Sequence, residues 1–203
     1  MADAVSALRT YSMIDRLQPQ LAALLGLLPG DPVVEGMASL TIEIAPGTDV
    51  YRIADAAIKH ANVRLGMQVV EREFGLLELH ASNLDDVRQA GQAILGILGL
   101  DERAVPRPQL VSAQVLHKVS PYQAQLVNET RKGSLLLGER SLLILECTPA
   151  AAIYVVANEV EKAAAVTLVD VRGVGAFGRL WMSGSESEVD AARVAAVACF
   201  DGN

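Results

Sequence analysis

Gly173-Val174-Gly175-Ala176-Phe177-Gly178 spells out a known chemical device, G-x-G-x-x-G behind a strand-like run. In a dinucleotide site such glycines let the backbone approach a pyrophosphate, whose charge rests on the N-terminus of the helix that opens there. Here Arg179-Leu180-Trp181-Met182-Ser183-Gly184 follows, a run that reads as strand, so the device lacks its helix. Other reactive side chains are scattered. His60, His80 and His117 are not spaced as a ligand set, so no metal is expected. No Ser, Cys or Lys has a base beside it in a motif-like setting, and Asp85-Asp86 reads as the acidic first turn of a helix. The expectation is a chain with no catalytic residues and no cofactor, one that is not an enzyme.

The charges that do form a pattern form it twice. Leu40, Glu43, Pro46, Tyr51, Ala54, Lys59, Ala61, Val63, Leu65, Phe74, Gly75 and Leu77 recur as Leu143, Glu146, Pro149, Tyr154, Ala157, Lys162, Ala164, Val166, Leu168, Phe177, Gly178 and Leu180. Upstream, Pro19, Ala22, Leu24 and Gly36 fall on Pro121, Ala124, Leu126 and Gly138 after a one-residue slip. The period is far longer than the roughly 20 to 50 residues of solenoid repeats, so each copy is expected to be a domain, 1–101 and 102–203. Lys59 and Lys162 occupy equivalent helix ends, where a cation suits the helix dipole. Two equivalent loops, Val70-Glu71-Arg72-Glu73 and Arg172-Gly173-Val174-Gly175-Ala176, separate equivalent strand-like runs. The first is charged, and the second is rich in glycine, which permits more backbone states.

Composition excludes several partners. Half of the residues are hydrophobic (51%) yet only 4% are aromatic, which suits close backbone packing and broad flat interfaces. The longest apolar stretches, such as Leu21 to Leu28, fall short of the roughly 18 residues of a membrane span, so a soluble chain is expected. The start, MADAVSALRTYS, lacks the pattern of a secretory signal, which points to the cytoplasm. Cys147 and Cys199 have neither disulfide-framework numbers nor metal spacing and read as small buried residues. A net charge of −7 argues against nucleic acid or an anionic membrane as partner.

Each copy reads as strand, helix, strand, helix, strand, strand, helix. The strands are Ala7 to Ile14, Ser39 to Ala45, Val63 to Val70 and Phe74 to His80, then Leu110 to Val119, Leu142 to Cys147, Val166 to Val171 and Phe177 to Met182. Short helices are expected over Gln20 to Leu27 and Tyr122 to Thr130, and amphipathic ones through Val50, Ile53, Ala57 and Ala61 and through Ile153, Val156, Val160 and Ala164. Asn83 reads as an N-cap, and Ser185 with Glu188 as a capping box. Asp101 to Gln109, with Pro106-Arg107-Pro108, reads as the linker. The fold class is α+β, a tandem duplication of a two-layer sandwich.

ADAAIKHANVRL (Ala54 to Leu65), a short loop, then FGLLELHASNLDDVRQAGQAI (Phe74 to Ile94) resembles the bacterial microcompartment shell domain. ANEVEKAAAVTL (Ala157 to Leu168) followed by FGRLWMSGSESEVDAARVAA resembles it more distantly. The extra strand and helix precede each copy where the unpermuted domain has them last, which is similar to the circularly permuted tandem subclass, including the large-pored ethanolamine-utilisation shell protein. The resemblance implies a homotrimer, a pseudo-hexagon that tiles with other shell proteins into the wall of a compartment in the cytoplasm. It further implies that Lys59 and Lys162 meet the adjoining tile. Val70, Glu71, Arg72, Glu73, Arg172, Gly173, Val174, Gly175 and Ala176 would line a central pore for small metabolites. Read without the resemblance, the duplication also suits a cytosolic regulatory protein with a ligand cleft between its domains.

Overall fold

A computed structural model describes residues 6–26 and 32–201. The end of the first expected helix, Leu27, lies outside the described residues. The chain divides into two compact units, Met1–Arg107 with Val174–Ala176, and Pro108–Gly173 with Phe177–Asn203. The first unit runs on to Arg107 because Leu100 and Val105 pack on its hydrophobic core.

Unit one contains β1 (Ala7–Ile14), α1 (Pro19–Leu25), β2 (Ala38–Ala45), α2 (Asp49–His60), β3 (Arg64–Glu71), β4 (Phe74–Ala81) and α3 (Leu84–Leu98). Unit two repeats the order as β5 (Gln109–Leu116), α4 (Pro121–Asn128), β6 (Ser141–Thr148), α5 (Ile153–Ala163), β7 (Thr167–Arg172), β8 (Gly178–Gly184) and α6 (Glu186–Ala198). Each forms one antiparallel sheet, in the orders β1-β2-β4-β3 and β5-β6-β8-β7. The expected α+β duplication is therefore present, element for element.

Period-two alternation places one set of side chains under the helices. Leu40, Ile42 and Ile44 on β2 pair with Leu79, Leu77 and Gly75 on β4, and with Val50, Ile53, Val87 and Ile94 they make the first core. Each fully buried Leu or Ile contributes about 1.5–3 kcal/mol of apolar burial. Unit two aligns Leu143, Leu145 and Cys147 of β6 with Met182, Leu180 and Gly178 of β8 in the same register, all three β6 side chains having no exposure. The caps fall where expected: Asn83 accepts from the Asp86 backbone, and Ser185 and Glu188 close a reciprocal capping box. Hydrogen bonds from Ser185 hold the Glu188 carboxyl below its usual range.

The other face of each sheet is also covered, and here the copies differ. In unit two, Leu142, Val169 and Trp181 join Val119, Ala124, Val127 and Leu136 in a second apolar cluster, with α4 as its lid. In unit one the corresponding layer holds Ser39, Thr41, Glu43, Glu78 and His80, all at most 2% exposed.

Candidate pore loops and edge lysines

Arg72 and Glu73 alone join β3 to β4, with Glu71 opposite Phe74 across the ladder. Two-residue hairpins need left-handed backbone at the loop, a position glycine normally takes. Arg72 holds it with φ 51°. Glu71, Arg72 and Glu73 are exposed, and Val70 is 38% exposed, so the tip is a concentrated display of charge on a rigid ladder. The base is clamped by Arg9, whose guanidinium lies 4.0 Å from the Phe74 ring centroid while its Nε bonds Glu43 at 2.6 Å.

A left-handed non-glycine residue is strained by about 1–2 kcal/mol, and glycine loses about 0.5–1 kcal/mol of chain entropy in exchange. Arg72→Gly is therefore expected to stabilise the protein by about 0.5–1 kcal/mol in denaturant titrations, the relieved strain exceeding the entropy term. A loss of stability would mean that the Arg72 side chain makes a compensating contact.

The second loop is built differently. Arg172 ends β7 with its Nε 2.8 Å from Asp170 Oδ2, its Nη2 2.9 Å and 3.0 Å from the carbonyl and hydroxyl of Thr130, and its guanidinium 5.1 Å from the Trp181 ring centroid. Its charge is committed to the edge of the sheet, leaving the loop tip to small residues. Gly173 is required for space: a Cβ there would stand 2.2 Å from the Tyr154 ring, whose hydroxyl accepts the Gly173 N–H at 3.3 Å. Gly175 is required for backbone, with φ 102°. No helix opens after Gly178, where β8 begins, so the glycine pattern has none of the geometry of a dinucleotide site.

Lys59 and Lys162 sit in the last turns of α2 and α5. Each is paired on its own helix, Lys59 with Asp55 and Lys162 with Glu159, both at 2.7 Å. Exposed pairs of this kind contribute about 0.3–0.5 kcal/mol, so neither lysine is a fold determinant. Ile58 beside Lys59 is 51% exposed, whereas Glu161 stands beside Lys162. The histidines are dispersed: His60 Nδ1 meets the Ala56 carbonyl at 2.8 Å and His117 Nδ1 the Ser141 hydroxyl at 3.2 Å. Among the described residues no group of three metal-ligating side chains exists.

Against known proteins, residues 8–104 match the CsoS1D N-terminal domain family. The carboxysome shell protein CcmP of Synechococcus elongatus is 44% identical over 96% of this chain and 92% of its own. The chain belongs to the CsoS1D-type carboxysome shell protein family. CsoS1D of Hydrogenovibrio crunogenus is 47% identical, with 93% of each chain covered. Among solved structures, the fused permuted hexameric shell protein MSM0275 of the RMM microcompartment superposes with a TM-score of 0.92 at 40% identity, covering 96% of each chain. The double ringed trimeric shell protein MSM0271 of the same microcompartment also gives 0.92, at 37% identity. Those likenesses bear out the tandem, permuted shell-domain reading. As a member of the CsoS1D-type family the protein is a structural component of a microcompartment shell, the location the sequence implied. The sequence reading did not single out Arg9 and gave Tyr154 only a place in the repeat, since their roles depend on contacts across the sheet and with the second loop.

Proposed function

We propose that the protein forms a homotrimer whose six domains make a pseudo-hexagonal tile of a carboxysome-type shell, with Val70–Glu73 and Arg172–Ala176 around a central pore. The observation that carries this reading is the placement of a β3–β4 loop and a β7–β8 loop at the same point of the same topology in both halves. Head-to-tail contacts between such halves close into a ring. The relative MSM0271 is described as trimeric and MSM0275 as hexameric, and both share this fold.

In the ring, each of Glu71, Arg72 and Glu73 would appear three times, and the charge of those rings selects among small metabolites by electrostatics. Arg172, tied to Asp170 and Thr130, contributes shape more than free charge. The glycine tip Val174–Ala176 provides the loop with fewer side chains to reorganise. The reading assigns the chain no catalytic step.

Light scattering after size exclusion should return three times the 21.5 kDa chain mass. A monomer across micromolar concentrations would remove the basis for tile and pore together.

A further inference from the structure

The β3–β4 and β7–β8 hairpins have equal length in sequence, yet they end differently. In the first copy the ladder runs on through Val70 opposite Gly75 and Glu71 opposite Phe74, which leaves a two-residue turn. In the second it stops at Arg172 opposite Arg179, and the equivalent pairs, Gly173 with Gly178 and Val174 with Phe177, are not made. Turn chemistry does not explain the difference. Gly175 has the left-handed backbone that Arg72 has at the equivalent position, φ 102° against 51°, and glycine takes up such backbone more readily than arginine. The copy with the better turn residue is the one whose ladder is two pairs shorter.

Two contacts separate the copies. Tyr154 is 4% exposed, its hydroxyl accepts the Gly173 N–H, and its ring fills the space that a Cβ on Gly173 would need. Its equivalent Tyr51 is 57% exposed, and Val70 stands where Gly173 does, carrying the carbon that the Tyr154 ring excludes. Gly173 has no left-handed backbone, so it meets a demand for space alone. On the other strand of the first hairpin, the Arg9 guanidinium stacks on Phe74 and clamps the end of the ladder. The second copy has Val111 at the equivalent bulge, and Phe177 is 39% exposed. The first hairpin is therefore clamped at its end, and the second is seated on Tyr154 at its base.

We propose that Tyr154 is the positioning residue of the second loop. By seating Gly173 against its ring it keeps the last two pairs of the ladder apart, and so sets a five-residue loop, Gly173 to Phe177, in place of a two-residue turn. Both partners are required, since Tyr51 occupies the equivalent helix position in the first copy and that hairpin is zipped to its end. The consequence for passage rests on the pore reading above. The pair that flanks a two-residue turn exchanges both of its backbone hydrogen bonds. With that pair apart, the amides of Val174 and Phe177 are not consumed by the ladder, and they face small polar solutes with backbone donors as well as small side chains.

Hydrogen exchange on the full-length protein, read by mass spectrometry in peptides spanning Val171 to Leu180, tests the assignment. Gly173→Val gives the second copy the residue of the first, and Tyr154→Leu removes the seat while keeping an apolar side chain in the buried site. In each variant the amides of Val174 and Phe177 should exchange about tenfold more slowly or less, because the ladder closes over them. The double variant should add little to either single one, as expected of two residues acting through one contact. A merely structural role for Tyr154 would instead speed exchange through β7, β8 and α5 and slow nothing, and that result would overturn the proposal. So would parent rates at Val174 and Phe177 in either folded variant. Gly173→Ala meets the same ring with a smaller side chain and carries the test if Gly173→Val fails to fold. A monomer in light scattering would remove the pore reading and leave Tyr154 as the residue that sets the loop, whereas unchanged exchange in a trimer would do the reverse.

Discussion

Gly178→Ala is expected to destabilise the second domain by about 2–4 kcal/mol, and Gly75→Ala to do the same to the first, among the largest effects a one-carbon change produces. Gly75 is the second residue of β4 and Gly178 the first of β8, each packed against the turn that leads into the adjacent helix. A Cβ on Gly75 would lie 2.3 Å from the Gly47 carbonyl oxygen and 2.9 Å from Val50 Cβ. On Gly178 it would lie 2.2 Å from the Ala150 carbonyl oxygen and 2.8 Å from Ile153 Cβ. Backbone atoms and a Cβ cannot swing aside as a flexible side chain does, so the strand and the helix must separate. At about 4–8 °C per kcal/mol for a domain of this size, the melting temperature should fall by about 10–25 °C at fixed protein concentration. Gly96→Ala is the control, since nothing lies within 4 Å of its added carbon and it sits within α3. It should raise stability by about 0.5–1 kcal/mol. Equal melting of the Gly75, Gly178 and Gly96 variants would mean that the strand ends are far more compliant than their contacts indicate.

Loss of ordered sheets is the second large effect expected, from Lys59→Ala combined with Lys162→Ala. Each substitution removes one exposed pair, to Asp55 or Glu159, so the melting temperature should stay within about 2–4 °C of the parent given pairs of about 0.3–0.5 kcal/mol each. The trimer mass should also stay unchanged. With the lysines at the tile edge, as the reading proposes, assembly would multiply the change, because each tile would meet its neighbours through the altered positions. Electron micrographs would show isolated particles where the parent forms sheets or tubes. Dissociation of the trimer would place the lysines inside the ring, and persistence of sheets would remove them from the edge.

Most of the fold was legible because the signals were local and appeared twice. Alternation located β2, β4, β6 and β8 to within a residue or two, and Ser185 with Glu188 forms the capping box its spacing predicted. Strand β7 ends at Arg172 and β8 starts at Gly178, one residue later than Phe177, because the Gly175 backbone turns the chain before the ladder resumes. The lysines lie in the last helical turns as the pattern placed them, whereas the loops are shorter than expected, with Val70 and Glu71 still in β3 and Arg172 in β7. Less legible was the work of each glycine. Gly173 looked like freedom in the sequence, yet Tyr154, nineteen residues earlier, makes it a matter of space. The burial of Glu78 and His80 was missed for a different reason. Alternation says that Glu78 and His80 face away from the helices, and an outward face is normally wet. Only tertiary structure shows it covered. The signal available was the mismatch between the copies, Glu78 against Trp181 and His80 against Ser183, in two runs that both open on Phe-Gly.

The two helix ends bearing Lys59 and Lys162 are not copies in detail, since one presents Ile58 and the other Glu161. A ring of six identical subunits has a single kind of side and no heading within its plane. With the Lys59 and Lys162 ends at the tile edge, as proposed, a trimer of this chain would have two kinds, in alternation, and so a vocabulary of apolar and acidic borders that neighbours can match or refuse. Rotating such a tile by one domain would change what every neighbour meets, so a growing wall made from it could reject misaligned units with no further protein to proofread them.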